Sequence, residues 1–161
     1  MQTDKFTALV RNAVMAAQND AFAANHQKVT AMHLLRALLA DDNVTLRSLV
    51  GRAGGDIDGL SAALDKSLAA IPAVTGSGAD QLQLDIDLAR ILQAAEGEVK
   101  TLGDSFLAVD ALLLAMVKSK GEVGRLLSGA GLDAARVSAA IADMRKGRTA
   151  DSDAAEDGYE A

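Results

Sequence analysis

The 161-residue sequence has no cysteine and no tryptophan, a single proline (Pro72), and four aromatic residues, Phe6, Phe22, Phe106 and Tyr159. Without cysteine there is no disulfide framework, thiol nucleophile, CxxC redox pair or Cys-based zinc site. The scarcity of aromatic rings, with a net charge of -6 and a pI near 4.8, removes both the stacking platform and the phosphate-neutralising surface that nucleic acid requires. The longest uncharged apolar runs, such as 111–117, fall far short of the roughly 20 residues of a membrane span. Residues 1–5 lack the basic stretch followed by an apolar one that marks an export signal, so a cytoplasmic location is expected and no membrane partner.

What is abundant is alanine and leucine, 33 and 22 residues, within a composition that is 50% hydrophobic. That bias points to one all-α domain. A chain of this length buries roughly two thirds of the surface its unfolded form exposes, enough for one core without a structural metal. The charge is unevenly spread. Arg148 stands against Asp151, Asp153, Glu156, Asp157 and Glu160, so four of the six net negative charges belong to residues 148–161. Rich in Asp, Ala and Ser and without apolar periodicity, this end is expected to be an acidic disordered linker.

An internal repeat organises the rest. Shifted by 77 residues without a gap, the chain matches itself: Leu35 meets Leu112, Leu49 meets Leu126, and Ala53, Gly54, Asp56 and Ser61 meet Ala130, Gly131, Asp133 and Ser138. Alanine matches alone would be weak in so alanine-rich a chain, but the A-G-x-D-x-x-x-x-S-A-A series in unbroken register is specific. Each copy reads as four helices. Phe6, Leu9, Val10, Ala13, Val14 and Ala17 recur at helical spacing and predict a helix over 5–24. Thr30 is placed to cap a short, nearly all-apolar and therefore buried helix carrying Met32, Leu34, Leu35, Leu38 and Leu39. A third helix over 44–52 stops at Gly54-Gly55, and Asp56 or Asp58 caps a fourth. The second copy repeats the order near 84–102, 108–118, 122–128 and 133–145. Repeat 1 thus spans about 6–70, a linker with the only proline 71–81, and repeat 2 about 83–147, forming one domain over 1–147. The expected architecture is a pseudo-twofold, duplicated four-helix repeat of eight helices, with a groove at the seam where like surfaces fail to close.

Catalytic chemistry finds no pattern to rest on. His26 and His33 lack the HExxH or related spacing of a metal site, so no metal is expected. Ser77 lies in Gly76-Ser77-Gly78, which reads as loop rather than as a GxSxG elbow. Gly51-Arg52-Ala53-Gly54-Gly55 follows a helix and lacks the GK[ST] ending of a phosphate loop. Asp80, Asp85, Asp87, Asp104 and Asp110 read as caps and solvated positions. No catalytic residue is assigned and no enzyme activity is expected of this chain.

The residues nonetheless form a familiar pattern. Val29-Thr30-Ala31-Met32-His33-Leu34-Leu35, echoed by Phe106-Leu107-Ala108-Val109-Asp110-Ala111-Leu112, resembles the Clp N-terminal repeat domain. Ile71-Pro72-Ala73-Val74-Thr75-Gly76-Ser77-Gly78 resembles the inter-repeat linker of the ClpB-type AAA+ disaggregases, and Leu102-Gly103-Asp104-Ser105-Phe106 their G-D-x-F motif. Glu156-Asp157-Gly158-Tyr159-Glu160-Ala161 is similar to the segment leading toward the first ATPase module, which is absent here.

The resemblance implies a substrate-recruiting domain, monomeric in isolation, that binds exposed apolar segments of unfolded or aggregated polypeptides. The parent would be a hexameric ring working with the DnaK system, with ATP and Mg in its ATPase modules and no cofactor in this chain. It also implies substrate-binding roles for Thr7, Asp104 and Asp110, the last standing where the family has Glu, and for a groove wall containing Leu92. Ala94, Glu98 and Ala111 stand at groove positions where better-known members carry Leu; each lost leucine burial removes roughly 1.5 to 3 kcal/mol of apolar drive. The alternative is an adaptor-docking domain of the ClpA/ClpC kind.

Overall fold

A computed structural model describes residues 3–40, 42–74 and 82–159. Among them are eight α-helices: α1(Ala8–Ala23), α2(Ala31–Leu38), α3(Val44–Arg52), α4(Ile57–Ala69), α5(Ile86–Leu102), α6(Val109–Val117), α7(Glu122–Gly129) and α8(Ala134–Arg145). The order and number agree with the sequence reading. Most of the expected linker, 75–81 with Ser77 and Asp80, lies outside the described residues; Val74 still donates its N–H to the Asn25 carbonyl at 2.8 Å.

Both long helices start later than periodicity alone suggests. Thr7 is extended and caps α1 by accepting the Val10 N–H, and Asp85 is extended and caps α5 by accepting from Asp87. The residues just before them are used for pairing instead. Lys28–Val29 (β1) lies parallel to Gln83–Leu84 (β2), and Phe6 pairs in parallel with Leu107. In each case the extended segment before the short buried helix of one copy meets the segment before the long helix of the other. Such two-residue pairs leave no periodicity in the sequence, which is why they are invisible there.

Packing repeats the same exchange. Within the copies α1 lies on α2 and α5 on α6; across the seam α3 meets α8 while α4 meets α7. α1 turns a narrow stripe of Val10, Ala13, Ala17 and Ala21 inward, so the bulky α2 side chains Leu34, Leu35 and Leu38 can approach closely. α6 is buried continuously from Val109 to Met116. Near the pseudo-axis, Gly54 and Gly131 take φ of +83° and +90°, the left-handed geometry that ends a helix at little cost for glycine. There the Asp56 N–H donates to the Ala130 carbonyl at 2.9 Å. Asp56, not Asp58, caps α4, and its counterpart Asp133 caps α8.

The end of the chain departs from the sequence reading. Lys146 and Gly147 turn back in the left-handed region, and residues 148–159 pack onto the domain rather than forming a disordered linker. Ser105 and Phe106 both donate to the Ala150 carbonyl, Ala8 donates to Asp153, and a short 3-10 turn, Ala155–Gly158, leads to Tyr159. Ala150, Glu156 and Tyr159 are buried. Composition weighs a segment's average polarity, whereas docking here rests on three anchors, one of them a carboxylate. The folded unit therefore extends past 147 to at least Tyr159.

Candidate functional site

Two kinds of feature stand out: a buried polar cluster that fastens the chain's end, and surface hollows around the repeats. The cluster begins at the α5 C-terminus, where Gly103 in the left-handed region (φ +72°) presents Asp104. Asp110 lies in the first turn of α6, and Arg145 is the last residue of α8. Arg145 grips both carboxylates: Nε and Nη2 donate to Asp110 at 2.7 and 2.8 Å, Nη1 and Nη2 to Asp104 at 2.7 and 2.9 Å. All three side chains are sealed from solvent. Burial alone would pull the guanidinium pKa down, but its hydrogen bonds to the Asp110 and Asp104 carboxylates reverse that and hold it above the ordinary arginine value. The Tyr159 ring covers the guanidinium at 5.0 Å, and burial, then the Asp110 charge, pushes its phenol pKa up.

Glu156 joins this cluster to both copies. Its Oε2 accepts from Thr7 Oγ1 at 2.6 Å and from the Val109 N–H at 3.1 Å. The second contact is a helix cap in trans: Ala108 stands at the α6 N-cap and has no side chain able to do it. Burial raises the Glu156 pKa, the Thr7 and Val109 hydrogen bonds oppose this, and the nearby Asp110 charge adds to it. Its other oxygen, Oε1, is buried with no hydrogen-bond partner among the described residues.

At the position corresponding to Asp110, the first copy carries His33. The Thr30 N–H donates to His33 Nδ1 at 3.0 Å, which leaves the proton of the neutral ring on Nε2, 2.8 Å from His26 Nδ1. Burial, reinforced by His26, lowers the His33 pKa to about 4. No cluster of three or more His, Asp or Glu side chains fit for a metal ion occurs among the described residues.

The seven residues expected to bind substrate do not gather in one groove. Thr7, Asp104 and Asp110 belong to the buried cluster, and Ala111 is wholly within the core. Leu92 is half-buried against the core, Ala94 is exposed, and Glu98 is tied to Lys118 at 2.8 Å. Thr7, Asp104 and Asp110 are thus placed to position the α6 start and the chain's end, not to touch a polypeptide on this surface. Sequence reasoning missed Arg145, Glu156 and Tyr159. Arg145 did leave a trace: it continues the buried face of α8 set by Val137, Ile141 and Met144, a cation in an apolar phase.

The seam holds a hollow of about 500 Å³ floored by Met32 and Ala63 of the first copy, Ile71 and Pro72 of the linker, and Leu126 of the second copy. The Ser67 hydroxyl donates to Glu122 across its edge. A second hollow, of about 530 Å³, opens between α5, the end of α6 and the start of α7; Ala94 lies on its wall. Met15, Phe22, Leu84 and Ile86 are each more than half exposed.

These features define a duplicated, all-helical repeat domain with open, partly apolar surfaces. The chain belongs to the Clp repeat (R) N-terminal domain family, whose profile matches residues 5–130. It is 40% identical over 162 aligned positions to the chaperone protein ClpB of Rhodopseudomonas palustris; the match takes in 100% of this chain but 18% of that protein. The chain therefore spans about a fifth of the length of such relatives. The Hsp104 N-terminal domain from Candida albicans superposes with a TM-score of 0.82 at 20% identity, covering 94% of this chain and 99% of that one. A ClpV N-domain solved in complex with a VipB peptide superposes with a TM-score of 0.69 at 20% identity, covering 86% of each chain. Among the described residues no helix is long and apolar enough to cross a membrane.

Proposed function

We propose that this chain is the substrate-recruiting N-terminal domain of a ClpB-type chaperone, holding exposed apolar segments of unfolded or aggregated proteins. The observation that carries the reading is the 40% identity to a ClpB chaperone along the entire chain. The seam hollow, whose apolar part is formed by Met32, Ile71, Pro72 and Leu126, offers a surface for such segments. Its binding is weak, because a shallow apolar contact must offset the ordering of a disordered client. In this reading the parent is a cytoplasmic, hexameric AAA+ ATPase that carries ATP and Mg elsewhere, and the DnaK system acts with the parent.

The test is a fluorescence anisotropy titration of the chain with a labelled, permanently unfolded protein. Saturable binding that Ile71→Glu and Leu126→Glu weaken is expected, with no ATP hydrolysis by the chain alone; absence of binding by the unaltered chain overturns the reading. The ClpV N-domain in complex with a VipB peptide favours a second reading, docking of one defined partner protein. Affinity capture separates the two: one folded partner supports docking, many denatured clients support recruitment.

A further inference from the structure

The hollow between α5, α6 and α7 is lined by four charged side chains, Asp87, Arg90, Lys118 and Lys120, over a small apolar floor of Ile91, Ala94 and Ala115. Three of the four are cations, in a chain of net charge -6. Lys118 is engaged by Glu98 at 2.8 Å, and Arg90 reaches Asp87 only at 3.8 Å with most of its side chain in solvent. Lys120 has no hydrogen bond or ion pair from its side chain among the described residues. Gly121 follows at the N-cap of α7, where no side chain caps the helix, so the positive end of the α7 dipole, partly offset by Glu122 in the first turn, adds to the same field.

The first copy supplies an internal control. Its corresponding hollow, between α1 and α2, is lined by Leu9, Asn12, Ala13, Ala16, Ala37, Ala40, Asp42 and Asn43, with no cation. In the 77-residue register Ala13 becomes Arg90, Asp41 becomes Lys118 and Asn43 becomes Lys120. The shared helix geometry makes a hollow in both copies, but only the second makes it basic. Packing does not require that change, since the cations are exposed at the rim.

We infer that this hollow is a docking site for an acidic polypeptide segment, one that sets a small apolar side chain on Ala94 and Ala115 and a neighbouring carboxylate against Lys120 and Arg90. The inference rests on the recruitment reading and adds a preference to it: clients are taken by acidic-apolar stretches, not by apolarity alone. Asp87 and Glu98 already face Arg90 and Lys118, so the recognition falls mainly on Lys120.

The test uses the full chain and three labelled twelve-residue peptides that differ only in charge: one alternating Leu and Ala with Asp and Glu, one with Asn and Gln in their place, and one with Lys. The acidic peptide is expected to bind about three- to fivefold more tightly than the amide peptide at low salt, the scale of one or two exposed ion pairs, and to lose that advantage at 0.5 M NaCl. Lys120→Glu with Arg90→Glu is expected to abolish the preference, while Lys28→Glu on β1, which does not line the hollow, leaves it. NMR shifts from the acidic peptide are expected at Ala94 and 118–121. Equal affinity for the acidic and amide peptides, an equal effect of Lys28→Glu, or shifts confined to the seam hollow would overturn the inference. The same titrations with the unfolded protein keep the two ideas apart: if it binds while charge makes no difference, only this inference fails, and if it does not bind the recruitment reading fails as well.

Discussion

The two copies share a skeleton and differ in what they bury beside it. In the first, position 33 is a neutral histidine, and Thr30 in the same copy caps the short helix by accepting from the His33 N–H while the ring accepts the Thr30 N–H in return. In the second, the corresponding position is Asp110, locked by Arg145, which also holds Asp104, and the short helix has only Ala108 at its N-cap. Glu156, 48 residues further on, supplies the missing acceptor. Apolar matches such as Leu35 with Leu112 and turn residues such as Gly54 with Gly131 persist because close packing and a left-handed turn tolerate few side chains. A buried polar position has more than one solution, provided every charge and amide finds a partner. The copy that lost its own cap is the one to which the chain's end is tied.

The most damaging way to break this comparison is Arg145→Ala, which leaves Asp104 and Asp110 buried without their cation. A loss of about 3–5 kcal/mol in urea unfolding is expected, against a much smaller effect for Leu68→Ala, its half-buried counterpart in the first copy. Next is Glu156→Ala. It removes the α6 cap and one anchor of the tail, with an expected cost of about 1–2 kcal/mol and faster amide exchange and proteolysis confined to 148–159. Thr30→Ala in the first copy is expected to cost about 1 kcal/mol without loosening the tail.

Acidity sharpens the contrast, because the two clusters respond with opposite signs. His33 has a folded pKa lowered to about 4 from 6.5. Its contribution is complete above pH 6.5 and is lost as pH falls toward 4, since the unfolded chain then binds the extra proton. Glu156 has a raised pKa, so its contribution is complete below the ordinary 4.5 and declines as pH rises through the folded value. Unfolding measured from pH 7 to 4 is expected to show a shallower acid decline for His33→Gln and a steeper one for Glu156→Gln. The smallest effect belongs to Lys120→Glu: exposed at the rim of its hollow, it is expected to change stability by less than about 0.5 kcal/mol.

The helices were legible because their signals are local. Thr30, Asp56 and Asp133 announce starts, Gly54 and Gly131 announce stops, and the 77-residue register ties the copies together. The site was legible only in part. Thr7, Asp104 and Asp110 could be singled out, but not that they lie together in the interior. Ala94 and Glu98 could be placed on one helix face, but not the pairing of Glu98 with Lys118 on the neighbouring helix.

By itself, then, the sequence determined the helical class, the duplication, the helix boundaries to within a few residues and the membership that follows from them, since propensity, capping and periodicity act over one or two turns. Tertiary structure alone decided that the acidic end docks, that Arg145 holds two carboxylates, and that a glutamate from the end of the chain caps a helix of the second copy. Those outcomes depend on a few groups far apart in the chain meeting in a dry interior, where an unsatisfied amide or charge costs more than the ordering of a short segment.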